Sequence, residues 1–170
     1  MANSVRGEPA NASADLETRA TDDHHLALKL WLRLLACTTR LESEVRMRLR
    51  AEFDTTLPRF DLMAQLDRAP KGMTLGELSQ RMMVSNGNVT GLVERLVEQG
   101  LIDRRPSEKD RRAQIVTLTP EGRRFFRAMA RTNANWIGEM LAELSQTDIE
   151  TLLRLLGRTK ASARRAIEGG

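Results

Sequence analysis

Apolar residues recur along most of this chain with a helical period. Between residues 22 and 53, Leu30, Trp31, Leu34, Leu35, Thr38, Leu41, Val45, Leu49 and Phe53 fall at spacings of three and four, which predicts one long helix with a continuous stripe. A helix that long exceeds the usual range of about 8–20 residues, and its stripe needs a covering surface, most economically a second subunit. A shorter helix is predicted over 58–67, opened by Pro58, whose missing N–H would be unpaired in a first turn anyway. Residues 69–72, Ala-Pro-Lys-Gly, read as a turn.

Two closely spaced helices follow. Thr74 with Glu77 three positions on is a capping-box pattern and opens a helix over 74–82. Ser85 is the N-cap of a second helix reaching Gln99, and Gly100 closes it in a left-handed conformation. Val89, Leu92, Val93, Leu96 and Val97 form its inner face, which leaves Asn86, Gly87, Asn88, Thr90 and Gly91 at the exposed N-terminal end. Two β-like segments, 101–102 and 115–118, flank a turn-forming tip at 106–110. Thr119, Pro120 and Glu121 open a further helix running to about Leu144, with Phe125, Phe126, Met129, Trp136, Ile137 and Met140 at its apolar positions. Ser145 and Asp148 cap a last helix carrying Ile149, Leu152, Leu153, Leu155 and Leu156.

Two short helices followed by a charged hairpin give the order of a winged helix-turn-helix. The expected fold is mainly α with a small β-hairpin wing: a winged helix-turn-helix DNA-binding domain over 57–119 and a helical dimerisation layer from 22–56 and 120–166. Residues 1–21, rich in Ala, Asn, Ser, Glu and Thr, read as a flexible tail.

Charge sharpens this reading. The net charge of +4 over 170 residues is too mild to decide a partner, but its placement is informative. Arg104, Arg105, Lys109, Arg111 and Arg112 crowd the hairpin, and Arg154, Arg158, Lys160, Arg164 and Arg165 form a second cluster. A recognition helix enters the major groove by its N-terminal end, which must be small and polar for close approach. Asn pairs bidentately with adenine, the Thr methyl can touch a thymine methyl, and free N–H groups at a helix start can hold a phosphate. Arginines on a wing suit the narrow minor groove of A·T tracts, and Asp110 can pair with Arg111 or Arg112 to fix the loop. The plainer readings are a polar helix start and a solvated charged turn; their adjacency favours DNA.

Other chemistry is sparse. There is no Ser-His-acid pattern, no phosphate-cradling Gly loop and no paired metal motif, so no catalytic residues, no cofactor and no enzyme activity are expected. The single cysteine, Cys37, excludes an intramolecular disulfide, and its mid-helix place between apolar neighbours predicts a buried, inert thiol. His24 and His25 would point about 100° apart on a helix, so no metal site is expected. No apolar run approaches the roughly 18 residues of a membrane span, and residues 1–20 lack the pattern of a secretory signal, so a cytoplasmic protein without membrane contact is expected.

Asp110-Arg-Arg-Ala-Gln-Ile-Val-Thr-Leu-Thr-Pro-Glu-Gly122 resembles the wing signature of the MarR family of bacterial transcription regulators: Asp, a basic residue, Arg, then Val-x-Leu-Thr-x-x-Gly. Leu92-Val-Glu-Arg-Leu-Val-Glu-Gln-Gly-Leu-Ile-Asp-Arg104 is similar to the family's recognition helix running into the wing strand. The resemblance extends over about 22–165 and implies an intertwined homodimer. Each subunit would present one winged helix to half of a pseudo-palindromic duplex operator. It puts Ser85, Asn86, Asn88, Thr90 and Gly91 at base- and phosphate-contact positions, Arg112 at the wing arginine of the minor groove beside Arg111, Asp110 at its acidic partner, and Arg95 at a basic helix position. One departure stands out: no Lys or Arg occurs over 86–94, so affinity would lean on the wing.

The resemblance further implies a repressor released by a small ligand, such as an aromatic carboxylate or its CoA thioester. Candidate pocket residues are Trp31, Leu35, Thr38, Arg40, Leu41, Phe60 and Met63, with Arg40 placed to pair a carboxylate. Trp31, Leu35 and Leu41 also read as plain core. Thiol sensing, known among relatives, lacks support here because the chain has no Tyr to bond a reactive thiolate. The competing function is a dimeric ligand- or protein-binding module that uses the winged fold without DNA. A steep salt dependence of binding would separate the two.

Overall fold

The structure, a computed structural model, describes residues 26–107 and 113–169. Helix α1 spans Leu26–Phe53 and α2 spans Leu57–Asp67. A short strand β1 (Met73–Thr74) precedes α3 (Leu75–Met82) and α4 (Asn86–Glu98). Strands β2 (Ile102–Pro106) and β3 (Gln114–Leu118) lead into α5 (Pro120–Met140), and α6 (Gln146–Glu168) ends the chain. The chain divides into two compact units, with the boundary inside α5 between Ala130 and Arg131.

The first unit has its own core. Leu49, Leu62, Met63, Leu66, Leu78, Val89, Val93, Leu96, Ile102, Val116 and Met129 are all fully buried. They come from α1, α2, α3, α4, both long strands and α5, so the periodic positions of each element converge on one interior. The stripe of α1 is used unevenly. Val45 and Leu49 are buried near its C-terminal end, while Leu26, Leu28, Leu30, Trp31 and Leu35 are exposed near its start. Cys37 is exposed too, contrary to the expectation of a buried thiol, because residues 37–40 are exposed in succession and no described residue covers that flank.

The sheet departs from the expected hairpin. It has three strands in the order β1-β3-β2, with Met73 opposite Val116 and Thr74 opposite Ile115. Two residues are too few to show an alternating pattern, so β1 left no periodic trace. Gly72 makes the approach feasible: its φ is 87°, and a Cβ there would stand 2.5 Å from Ile115 Cγ2. Strand β2 also runs further than expected, placing Pro106 in the ladder opposite Gln114 rather than in the turn. Proline fits there because β2 is an edge strand.

The second unit holds the end of α5, a turn and α6. Helix α5 stops at Met140, short of the expected Leu144: the Leu141 N–H is shared between Ile137 O (3.1 Å) and Gly138 O (3.3 Å), and Ala142 and Leu144 donate to carbonyls three residues back, which tightens the last turn. Ser145 and Asp148 then form a reciprocal capping box that starts α6. No described residue of α6 is buried, and Leu152, Leu153, Leu155 and Leu156 lie open on its surface.

Candidate nucleic-acid interface

The helix pair is closed by local bonds that the sequence supplies. The Glu77 N–H donates to Thr74 Oγ1 (3.2 Å) and the Thr74 N–H donates to Glu77 Oε2 (2.7 Å), a complete capping box. The Thr74 backbone N–H, followed by its hydroxyl, holds the Glu77 carboxyl below the usual range. Met83 ends α3 in the left-handed region at φ 55°, and the Ser79 hydroxyl donates to Val84 O (2.5 Å), which folds the turn back on α3. Ser85 then caps α4 by accepting from the Asn88 N–H (3.4 Å).

Val89, Val93 and Leu96 face the core from α4. At 100° per residue, the opposite side of that helix begins with Gly87 and Gly91 and continues with Glu94 and Glu98. A Cβ added at Gly87 or Gly91 would meet nothing within 4 Å, and neither glycine has a positive φ. Packing and backbone conformation therefore give no reason for glycine, although each costs about 1 kcal/mol against alanine inside a helix. What the two glycines leave is bare backbone at the outermost line of the first two turns. Asn86 and Thr90 flank it on one side, Asn88 and Arg95 on the other. The Thr90 hydroxyl donates to Asn86 O (2.9 Å), so its methyl is the free end.

An open groove of about 360 Å³ runs along this face, lined by Pro58, Val84, Gly87, Asn88, Gly91 and Arg95 among others. The structure thus gathers Asn88, Gly91 and Arg95 at one groove and adds Pro58 and Val84 as walls, which sequence reasoning missed. Pro58 belongs to α2, and no local pattern signals its approach to α4. Arg111, Arg112 and Asp110 lie outside the described residues. Arg104 and Arg105 are exposed on β2, not on the loop, and their pairing with Val116 and Ile115 points them to opposite faces of the sheet. The strand period could have separated them.

Similarity to known proteins agrees with this geometry. A model described as "MarR family" matches residues 53–113. The transcriptional activatory protein BadR of Rhodopseudomonas palustris is 31% identical over 147 residues, covering 85% of this chain and 83% of BadR. The chain belongs to the MarR family. It is a DNA-binding transcriptional regulator of that family. The regulator BilQ of Clostridium symbiosum is 34% identical over 92 residues, covering 52% of this chain and 64% of BilQ. Among solved structures, BldR of Sulfolobus solfataricus matches with a TM-score of 0.73 at 23% identity, over 84% of this chain and 99% of BldR. A mutant E. coli MarR complexed with operator DNA matches with a TM-score of 0.68 at 23% identity, over 81% of this chain and 99% of that one. These two likenesses speak for the fold.

The residues expected to line an effector pocket lie on α1 and α2. Trp31, Leu35, Thr38 and Arg40 are exposed along α1, and Leu41 is half-buried. Phe60 packs against Phe126 with ring centroids 5.5 Å apart, and Met63 is fully buried in the core. A second depression, about 260 Å³ between Phe53, Thr55, Leu101 and Phe125, includes none of them. Among the described residues no cluster of three or more His, Cys, Asp or Glu could hold a metal ion, and no helix is long and apolar enough to cross a membrane.

Proposed function

We propose that this regulator works as a homodimer on a pseudo-palindromic duplex, with α4 of each subunit in successive major grooves and the wing over the adjacent minor groove. The observation that carries the reading is the bare outward backbone at Gly87 and Gly91, flanked by Asn86, Asn88 and Thr90. Such a surface admits the helix deep into the groove and puts short polar side chains at base edges. Ser85 and Gly91 serve the phosphates, and Arg95 stands at the groove margin. Arg111 and Arg112, oriented by Asp110, supply the wing's charge.

The dimer is supported by apolar side chains left open on α1 and α6, including Trp31 at 58% and Leu153 at 67% exposure. Uncovered patches of that kind mark association surfaces. The effector is a small aromatic carboxylate or its CoA thioester, and the output is repression relieved by that ligand in the cytoplasm. Activation is the second reading, favoured by the likeness to BadR, a transcriptional activatory protein.

The test is an anisotropy titration of the full chain against its own upstream promoter DNA at two salt concentrations, with and without aromatic acids and their thioesters. Selective, salt-sensitive binding abolished by one compound is the expected result. Absence of selective binding at either salt would return the chain to a ligand- or protein-binding role.

A further inference from the structure

Recognition by α4 relies on short side chains. No Lys or Arg occurs over 86–94, and the one cation of α4, Arg95, stands at the groove margin, so the base-reading turns have no long cationic side chain to make up for a displaced helix. A helix that reads bases with Asn and Thr must be held rigidly, and its C-terminal end is held by α5. The Thr119 hydroxyl accepts from the Gly122 N–H (2.9 Å), the ordinary duty of an N-cap. The same hydroxyl donates to Gly100 O (2.8 Å), and the Thr119 N–H donates to Leu101 O (3.1 Å). Gly100, at φ 69°, is the residue that ends α4, and the Leu101 N–H returns to Leu96 O (2.9 Å).

Gly122 completes the joint. It is buried, and a Cβ there would stand 1.9 Å from Leu101 O, so α5 rests directly on the peptide leaving α4. The next residues fasten the same helix elsewhere: Arg123 pairs with Asp67 of α2 at 3.0 Å, and Phe125 meets Phe53 of α1 edge-on with centroids 6.2 Å apart. These contacts tie the first two turns of α5 to Gly100 and Leu101 as well as to α1 and α2.

We propose that Thr119 and Gly122 are positioning residues for DNA recognition, joining the end of α4 to the start of α5 so that the two helices move as one body. Capping explains only the acceptor half of the Thr119 hydroxyl; its donor half serves α4. A rotation of α5 is therefore delivered to the reading helix through this joint. The inference rests on α4 being the helix that enters the groove.

The experiment enriches a duplex from a random pool with the wild-type chain. It then measures affinity for that duplex and for a scrambled one of equal length, alongside the melting temperature. Thr119→Val keeps the shape and loses both hydroxyl bonds; Thr119→Ser keeps them. The expected result is that Thr119→Val lowers affinity for the enriched duplex about ten-fold, as loss of one base contact would. Binding to the scrambled duplex, governed by phosphate contacts, stays within about two-fold. Thr119→Ser restores selectivity, and Gly122→Ala, where it folds, loses selectivity like the valine variant. Unchanged selectivity in Thr119→Val, or a parallel fall in both affinities together with melting temperature, overturns the positioning role. Failure of the wild type to enrich any duplex overturns the reading of α4 as well.

Discussion

The helix-turn-helix unit and α6 use the same aliphatic residues to opposite effect. Leu62, Leu66, Leu78, Val93 and Leu96 lose essentially all exposure within one chain, whereas Leu152, Leu153, Leu155 and Leu156 keep about two-fifths or more of theirs. Both regions have the helical period that marks a buried face. The first finds its counter-surface in the neighbouring helices and the sheet, and the second finds none among the described residues. Periodicity announces that a face will be covered; it does not say by what.

The largest test of this contrast is truncation in the two regions. Leu62→Ala should cost about 2–5 kcal/mol in chemical denaturation, at any protein concentration, because its cavity lies in a closed core. Leu153→Ala should cost an amount that grows with protein concentration, as expected of a face closed by a second subunit. Equal, concentration-independent costs would erase the distinction. Next in size, the double change Leu152→Asp with Leu156→Asp should convert the protein to monomers in sedimentation. Operator affinity should then fall about a hundred-fold, since two half-sites no longer act together.

A smaller effect separates stability from function within the DNA-reading unit. Gly91→Ala should raise stability by up to about 1 kcal/mol, because the methyl meets open space in a helix interior. The same methyl should weaken operator binding by about ten-fold if the backbone lies against the duplex. A gain in melting temperature with unaltered DNA affinity would remove close backbone approach from the mechanism.

The smallest effects are electrostatic and of opposite sign. Thr74 holds the Glu77 carboxyl below its ordinary value of 4.5, so the capping box adds stability above that pH and loses it as pH falls through the lowered value. Asp61 behaves inversely. Burial, then the neighbouring Glu42 carboxylate, push its carboxyl up, and Arg46 offsets part of this. Ionised Asp61 therefore costs stability at neutral pH, and the cost fades as pH falls through the raised value. Asp61→Asn should raise the melting temperature slightly at pH 7 and lose that effect below the ordinary aspartate value of 3.8. Thermal melts across that range check both signs: a Glu77→Ala penalty that persists at low pH, or an Asp61→Asn gain that does, would contradict them.

Much of the DNA-reading unit was legible because its signals are local. Thr74 with Glu77, Ser85 before a run of apolar spacings, Gly100 after it and Thr119 before Pro120 each fix a helix end by bonds within four residues. Less legible was whatever depends on distant approach. The two residues of β1 pair with β3 some 40 positions away, and Pro58 reaches the groove from α2. Neither leaves a periodic trace. Cys37 is exposed although its neighbours in sequence are apolar, because neighbours in sequence need not be neighbours in space and no described residue covers that flank of α1.

By itself, then, the sequence determined the order of the helices and of the two hairpin strands, the helix caps and the glycine-bare start of α4, because each depends on backbone propensity and on side chains a turn away. Tertiary structure alone decided which faces were buried, the third strand and the joint of Thr119 and Gly122 against Gly100 and Leu101. These arise where chain segments far apart in sequence meet, and the geometry of that meeting is set by the packing of the whole core.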